Sequence, residues 1–281
     1  MNKAENMQES GIVRKEGTIV GGSVEIAQKG LGTYLTITAL GFIVVLLLGA
    51  LFDALTARTG THANTGIMNE ELASLVATKL TFYNLARLFD AFIPLFFFAL
   101  TAGVGLFVKT APALKYLSRV GVLFMSVYAP ISVVVYVAQY TTLSIMLKDA
   151  STRAALWPFW SLVIPSMSYL AYAICGIGVL LIAVGLIGER GVRRWGGWSL
   201  ILMGIFCLLA FSVEVVFGLG LALLILWTAG LAGVSFAVAM IVSTKTELSS
   251  LNLSGRGRPR DRLSVCRSLQ PVPSTPERPG V

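Results

Sequence analysis

Arg87 and Asp90 stand one helical turn apart inside NLARLFDAFIPLFFFALTAGVGLFV, an apolar stretch from Asn84 to Val108 long enough to cross a bilayer. Ionisable side chains in such a place are costly, so each raises a question about function. Asp53 and Glu214 lie in comparable surroundings. At i and i+3, Arg87 and Asp90 can pair on one helix face near an interface, with the guanidinium reaching toward water. Turned inward, Arg87 would bind an anionic group or bridge to Asp53 or Glu214. Asp53 reads as an end-of-span residue in water. Glu214, in FSVEVVFG, has no basic residue at i±3 or i±4. It must find a partner on another helix, reach water, or be neutral, and it serves either helix–helix assembly or a ligand or proton role.

Uncharged polar residues gather at a matching level. Ser132, Tyr136, Gln139 and Tyr140 fall in the later half of one apolar stretch. Ser161, Pro165, Ser168, Tyr172 and Cys175 step by four, three, four and three, which makes one mostly polar stripe along a helix. The set to place in three dimensions is therefore Asp53, Arg87, Asp90, Tyr136, Gln139, Ser168, Tyr172 and Glu214. An outward-facing polar hollow, closed toward the cytoplasm, would account for it.

The elements that carry these residues follow from composition. Of 281 residues, 56% are hydrophobic and 13% charged, and the mean hydropathy is +0.79. Soluble chains carry about 25% charged residues, so the deficit points to a polytopic membrane protein. Residues 1–31 are polar and contain no apolar core of a cleavable signal, so the first span would serve as its own insertion signal. Spans are expected at about 34–55, 85–108, 120–143, 161–187, 198–217 and 221–242. Pro130 is a candidate kink in the third. Trp157, Pro158 and Trp160 suggest one interfacial belt, and Trp195 and Trp198 the other. Gly218 and Gly220 offer the turn between the last two spans. Ala229, Gly233 and Ala237 form a small-residue stripe on the sixth.

Two flanking segments complete the organisation. Asn69, Glu70 and Glu71 followed by Leu72, Leu75, Val76 and Leu80 suggest an amphipathic helix near 69–83, or an extension of the second span. Residues 244–281, rich in Arg, Ser and Pro, are expected to form a disordered basic tail. Lys and Arg set the orientation: 17 fall on the side of the two termini and the second and fourth loops, against 5 on the other. The expected fold is thus an all-α, six-helix transmembrane bundle (residues 32–243) in the cell membrane with both termini cytoplasmic. With a rise of about 1.5 Å per residue, Asp53, Arg87, Asp90 and Glu214 sit roughly 24–31 Å from the cytoplasmic ends of their spans. That is near the outer boundary of a hydrocarbon core about 30 Å thick.

Enzyme signatures are missing. There is no phosphate-binding GxxxxGK[ST], no HExxH and no GxSxG, and Gly176-Ile177-Gly178 lacks the third glycine of a dinucleotide fingerprint. His62 is the sole histidine, and Cys175, Cys207 and Cys266 have no metal or disulfide spacing. No metal, cofactor or catalytic residue is assigned. The net charge of +8 is spread beside spans, so it reflects topology rather than nucleic-acid binding. The expected partners are the lipid bilayer and a small solute bound or passed by the hollow. The alternatives are an accessory or scaffolding subunit for another membrane protein or a homo-oligomer, and, lower still, a membrane-embedded enzyme.

Overall fold

The computed structural model describes residues 5–56, 78–216 and 222–256, with side chains over 27–55, 78–215 and 224–249. Every regular element among them is helical. Helix α1 runs Glu5–Thr56, α2 Leu80–Leu106 and α3 Pro112–Met146. Helix α4 (Ala150–Pro158) passes through a π-helical turn at Phe159–Val163 into α5, Ile164–Ile187. Helix α6 (Val192–Phe211) ends in a second π-helical turn, Ser212–Val216, and α7 spans Ala222–Arg256. Six of these rods are long and apolar enough to cross a membrane: Ala27–Leu55, Leu80–Leu106, Pro112–Met146, Ala150–Ile187, Val192–Val215 and Leu224–Ser249.

The rods form a closed ring in chain order, α1, α2, α3, α5, α6 and α7, with α7 returning to α1. The short connections from α2 onward force successive rods to be antiparallel. The ring's centre is filled by Phe42, Phe97, Leu100, Met125, Val179, Ile182, Leu200 and Phe236. Glycines set the closest approaches. A Cβ on Gly121 would meet the Gly178 carbonyl oxygen at 2.6 Å, and one on Gly176 would meet that of Gly204 at 2.9 Å. Only hydrogen at these positions lets α5 touch both neighbours backbone to backbone, the mode by which apolar helices associate without water to drive them. The stripe of Ala229, Gly233 and Ala237 is buried as well; Gly233 lies against Phe42 of α1.

Several expectations need correction. Trp160 is fully buried with Tyr83, Val135, Leu143, Met146 and Ile164, so it is core rather than belt. Trp157, Trp195 and Trp198 do lie at the surface. Helix begins at Ala150 instead of a loop reaching Trp160, because Asp149 caps it. The Asp149 carboxylate accepts from the Ser151 hydroxyl, the Thr152 hydroxyl and the Thr152 amide, each at 2.6 Å. Those donors, led by Ser151, hold it down to about 2, below the usual carboxylate range. Helix α3 continues through Pro130, whose ring lies on the exposed face.

The tail beginning at residue 244 is also corrected in part: α7 continues to Arg256. Arg193 at the start of α6 explains why. Its guanidinium meets Glu189 at 3.1 Å and Glu247 at 3.1 Å and donates to Ser243 Oγ at 3.0 Å. Thr244 Oγ1 lies 3.1 Å from Thr36 Oγ1 of α1. Charge composition marks the end of an apolar span, but these polar contacts carry the helix beyond it. At the other terminus α1 reaches back to Glu5, well into the polar segment. Residues 57–77, with most of the expected amphipathic helix, the Gly218–Gly220 turn and the tail from 257 lie outside the described residues, whereas 80–83 open α2.

Candidate functional site

Three of the expected polar residues, Asp53, Asp90 and Gln139, converge on the guanidinium of Arg87, which is 2% exposed. Its Nη1 meets Asp90 Oδ2 at 2.9 Å and donates to Gln139 Oε1 at 3.4 Å. Its Nη2 donates to Asp53 Oδ1. The Tyr83 ring lies on another side, 5.4 Å from the guanidinium carbon to the ring centroid, a cation–π distance. Among the described residues the Nε–H has no hydrogen-bond partner. Helix geometry accounts for the local part, since Tyr83, Arg87 and Asp90 are spaced by four and three along one face of α2. Asp53 arrives from α1 and Gln139 from α3, the two ring neighbours of α2.

A cavity of about 280 Å³ opens over this cluster. Asp53, Arg87, Asp90, Tyr136, Gln139, Ser168 and Tyr172 all line it. Tyr136 and Tyr172 join their hydroxyls across α3 and α5 at 2.9 Å. Most of the remaining wall is apolar and comes from the facing stretches of α1 and α7: Leu46, Leu47 and Ala50 on one, Leu226, Trp227, Leu231 and Val234 on the other. Leu47, Trp227 and Leu231 are 62%, 48% and 69% exposed, so the cavity's mouth is on the bundle's apolar flank between α1 and α7. A second hollow of about 330 Å³ lies between α2 and α3, lined by Thr81, Asn84, Val137 and Tyr140 among others. Arg87 and Tyr136 line both, so their side chains form the partition.

The structure therefore brings seven of the eight expected residues together and corrects how they interact. Arg87 and Asp90 do pair, but Arg87 is buried and does not reach out to water. Asp53 is not a free end-of-span residue; its side chain is 17% exposed and bonded to Arg87. Glu214 is neither a partner of Arg87 nor among the described lining residues. The ring order supplies the reason. Helices α2 and α6 stand opposite each other, while α1 and α2 are adjacent, so the nearest carboxylates belong to Asp53 and Asp90. Glu214 sits in the π-helical turn that ends α6, near Tyr169, and its Oε2 is buried with no hydrogen-bond partner among the described residues.

Some lining and supporting residues escape a reading of polarity. A Cβ on Gly49 would run into Asp90 Oδ1, so glycine there lets the carboxylate lie against α1. Gly230 lines the cavity with nothing within 4 Å of an added Cβ. Tyr169 and Trp227 add aromatic surface. The signal available was spacing: Gly49 lies four residues before Asp53 on one face. Among the described residues no three of His, Cys, Asp and Glu gather as a metal site would require.

Fold and site together define an all-helical chain with six membrane-length helices and a buried ionic cluster at the floor of a side-opening cavity. No protein-family model matches this chain, and no curated protein or solved structure matches it either.

Proposed function

We propose that this is a multi-pass integral membrane protein of the cell membrane, both termini cytoplasmic, that binds a small solute in the cavity over Arg87. The convergence of Asp53, Arg87, Asp90, Tyr136, Gln139, Ser168 and Tyr172 on one open space carries this reading. Polar groups placed only to glue helices have no need of a void beside them. A pocket that is mostly apolar with a few convergent polar groups is the usual form of a small-molecule site. The bundle beyond the cavity is filled by Phe42, Phe97, Leu100 and Phe236, so the site is a blind pocket toward the Arg193 end. Passage of a solute would require that plug to move.

The test uses Gly230→Phe, which fills the cavity at a position where the new side chain starts in open space. In detergent, the variant should melt close to the parent, and solutes that raise the melting temperature of the parent should no longer do so. Equal responses in both proteins would overturn the cavity as the binding site. They would favour the accessory-subunit reading, in which the buried charges serve assembly.

A further inference from the structure

We infer that the hollow between α2 and α3 is a second binding site, separate from the cavity between α1 and α7, and that it takes a membrane-dissolved alcohol whose hydroxyl bridges Arg87 and Asn84. Two unsatisfied polar atoms carry this. The Nε–H of Arg87 is buried with no acceptor among the described residues, and Oδ1 of Asn84 is buried with no donor among them. Both residues line the hollow. At i and i+3 they are neighbours on one face of α2. A buried donor or acceptor left in this state is costly, so one group that satisfies both gains twice.

The opposite hydrogen-bonding roles of these atoms select the head. Arginine stays protonated in proteins, so its Nε–H only donates, whereas an amide oxygen only accepts. A carboxylate or phosphate oxygen would accept from Arg87 but has no hydrogen for Asn84. An ammonium would donate to Asn84 but has no lone pair for Arg87. A hydroxyl is the smallest group that does both. This selection does not involve Asp53 or Asp90, whose carboxylates meet the other two guanidinium nitrogens.

The walls decide the rest of the molecule. Leu85, Leu88, Ala91 and Val137 give the hollow apolar sides. One water could bridge the two polar atoms, but waters filling the remainder of about 330 Å³ would find few hydrogen bonds along those sides. An apolar body gains by lying there. Leu88, Val137 and Tyr140 are exposed, so the hollow opens on a flank that meets lipid when the six helices span a bilayer. An alcohol dissolved in the membrane can therefore enter sideways, hydroxyl first.

Photolabelling tests this on the full chain in lipid nanodiscs. The probes are a long-chain alcohol with a diazirine in its chain and the matching methyl ether, which accepts a hydrogen bond but cannot donate one. The alcohol should label residues 81–91 and 136–140 saturably, and unlabelled alcohol should compete. The ether should half-saturate at about fivefold higher concentration, the scale of one neutral hydrogen bond. Asn84→Leu should bring alcohol and ether to the same level. It should also melt no lower than the parent without ligand, since it removes a buried unpaired acceptor. Val137→Trp fills the hollow from an exposed position and should abolish saturable labelling; Leu88→Trp, exposed on the facing wall, does the same if the first variant folds poorly. Gly230→Phe, which fills the other cavity, should leave labelling unchanged. Equal binding of alcohol and ether by the parent would overturn the hydroxyl bridge. Full displacement by millimolar ethanol would make the source aqueous and overturn entry from the membrane. Labelling that survives both tryptophan variants, or no saturable labelling of the parent, would overturn the site. Loss of labelling in Gly230→Phe would place the alcohol in the larger cavity, overturning a second site while leaving the proposed function standing.

Discussion

Arg87 is held by partners on three helices, so its removal and the removal of each partner should not cost the same. Taking out Arg87 leaves Asp53 and Asp90 facing each other with no cation between them. Breaking a buried ion pair in this way typically costs about 3 to 5 kcal/mol. Removing Asp90 leaves the guanidinium still bonded to Asp53 and is expected to cost less. A double-mutant cycle on Arg87→Gln and Asp90→Asn, read from unfolding in mixed micelles, should give a coupling energy of about 1 to 3 kcal/mol. The cycle of Arg87→Gln with Glu214→Gln should give a coupling indistinguishable from zero, because α6 stands across the ring from α2. A Glu214 coupling as large as that of Asp90 would contradict the placement of these side chains. The common level of Asp53, Arg87 and Asp90 was legible in the sequence from helical rise alone. So was the Arg87–Asp90 pair at i and i+3, but the choice of Asp53 rather than Glu214 as the second carboxylate was not. Rise along an axis fixes depth, whereas pairing depends on which helices are neighbours and which way each face turns.

At the scale of elements, the sequence showed the six rods clearly and their ends poorly. The interiors are long apolar runs, and nothing but helix satisfies the backbone there. The ends depend on particular polar contacts made after folding. Helix α4 starts early because Asp149 finds Ser151 and Thr152, and α7 runs past Ser243 because Arg193 reaches Glu247. Arg193 also links the turn between α2 and α3, since Glu189, its other partner, accepts from the Lys109 amide at 2.8 Å. One guanidinium thus ties together the end of the bundle opposite the cavity. Arg193→Gln should lower the unfolding free energy by about 2 kcal/mol, the scale of hydrogen bonds to a charged group with its partners left half-buried. It should also speed amide exchange along 244–249 while leaving exchange over 229–240 nearly unchanged. Uniform loss of protection along α7 would show that this end is held by packing rather than by Arg193.

For the whole molecule, the two ends of the bundle differ in charge as well as in packing. The Arg193 end carries the Lys and Arg excess around Lys109, Lys115, Arg190 and Arg194, whereas the cavity end carries Lys79, Lys148 and Arg153 beside Asp53, Asp90 and Asp149. Basic residues in short loops stay on the cytoplasmic side of a membrane during insertion. Under the proposed orientation, with both termini cytoplasmic, the cavity would lie in the outer half, its ionic floor close to the outer surface and the aromatic plug on the inner side. This orientation is testable at two exposed positions from opposite ends of the bundle. Cys175 and Cys207 are buried, so a Cys266→Ser background leaves no exposed thiol of the protein's own among the described residues. In that background Ser151→Cys should react with a membrane-impermeant maleimide on intact cells. Gly188→Cys, in the turn between α5 and α6, should react only after the membrane is opened. The site suits substitution because its backbone is at φ −69°, whereas Gly191 at φ 64° would be strained by any side chain. Reaction at Gly188→Cys on intact cells, with Ser151→Cys silent, would invert the molecule and put the cavity on the cytoplasmic half.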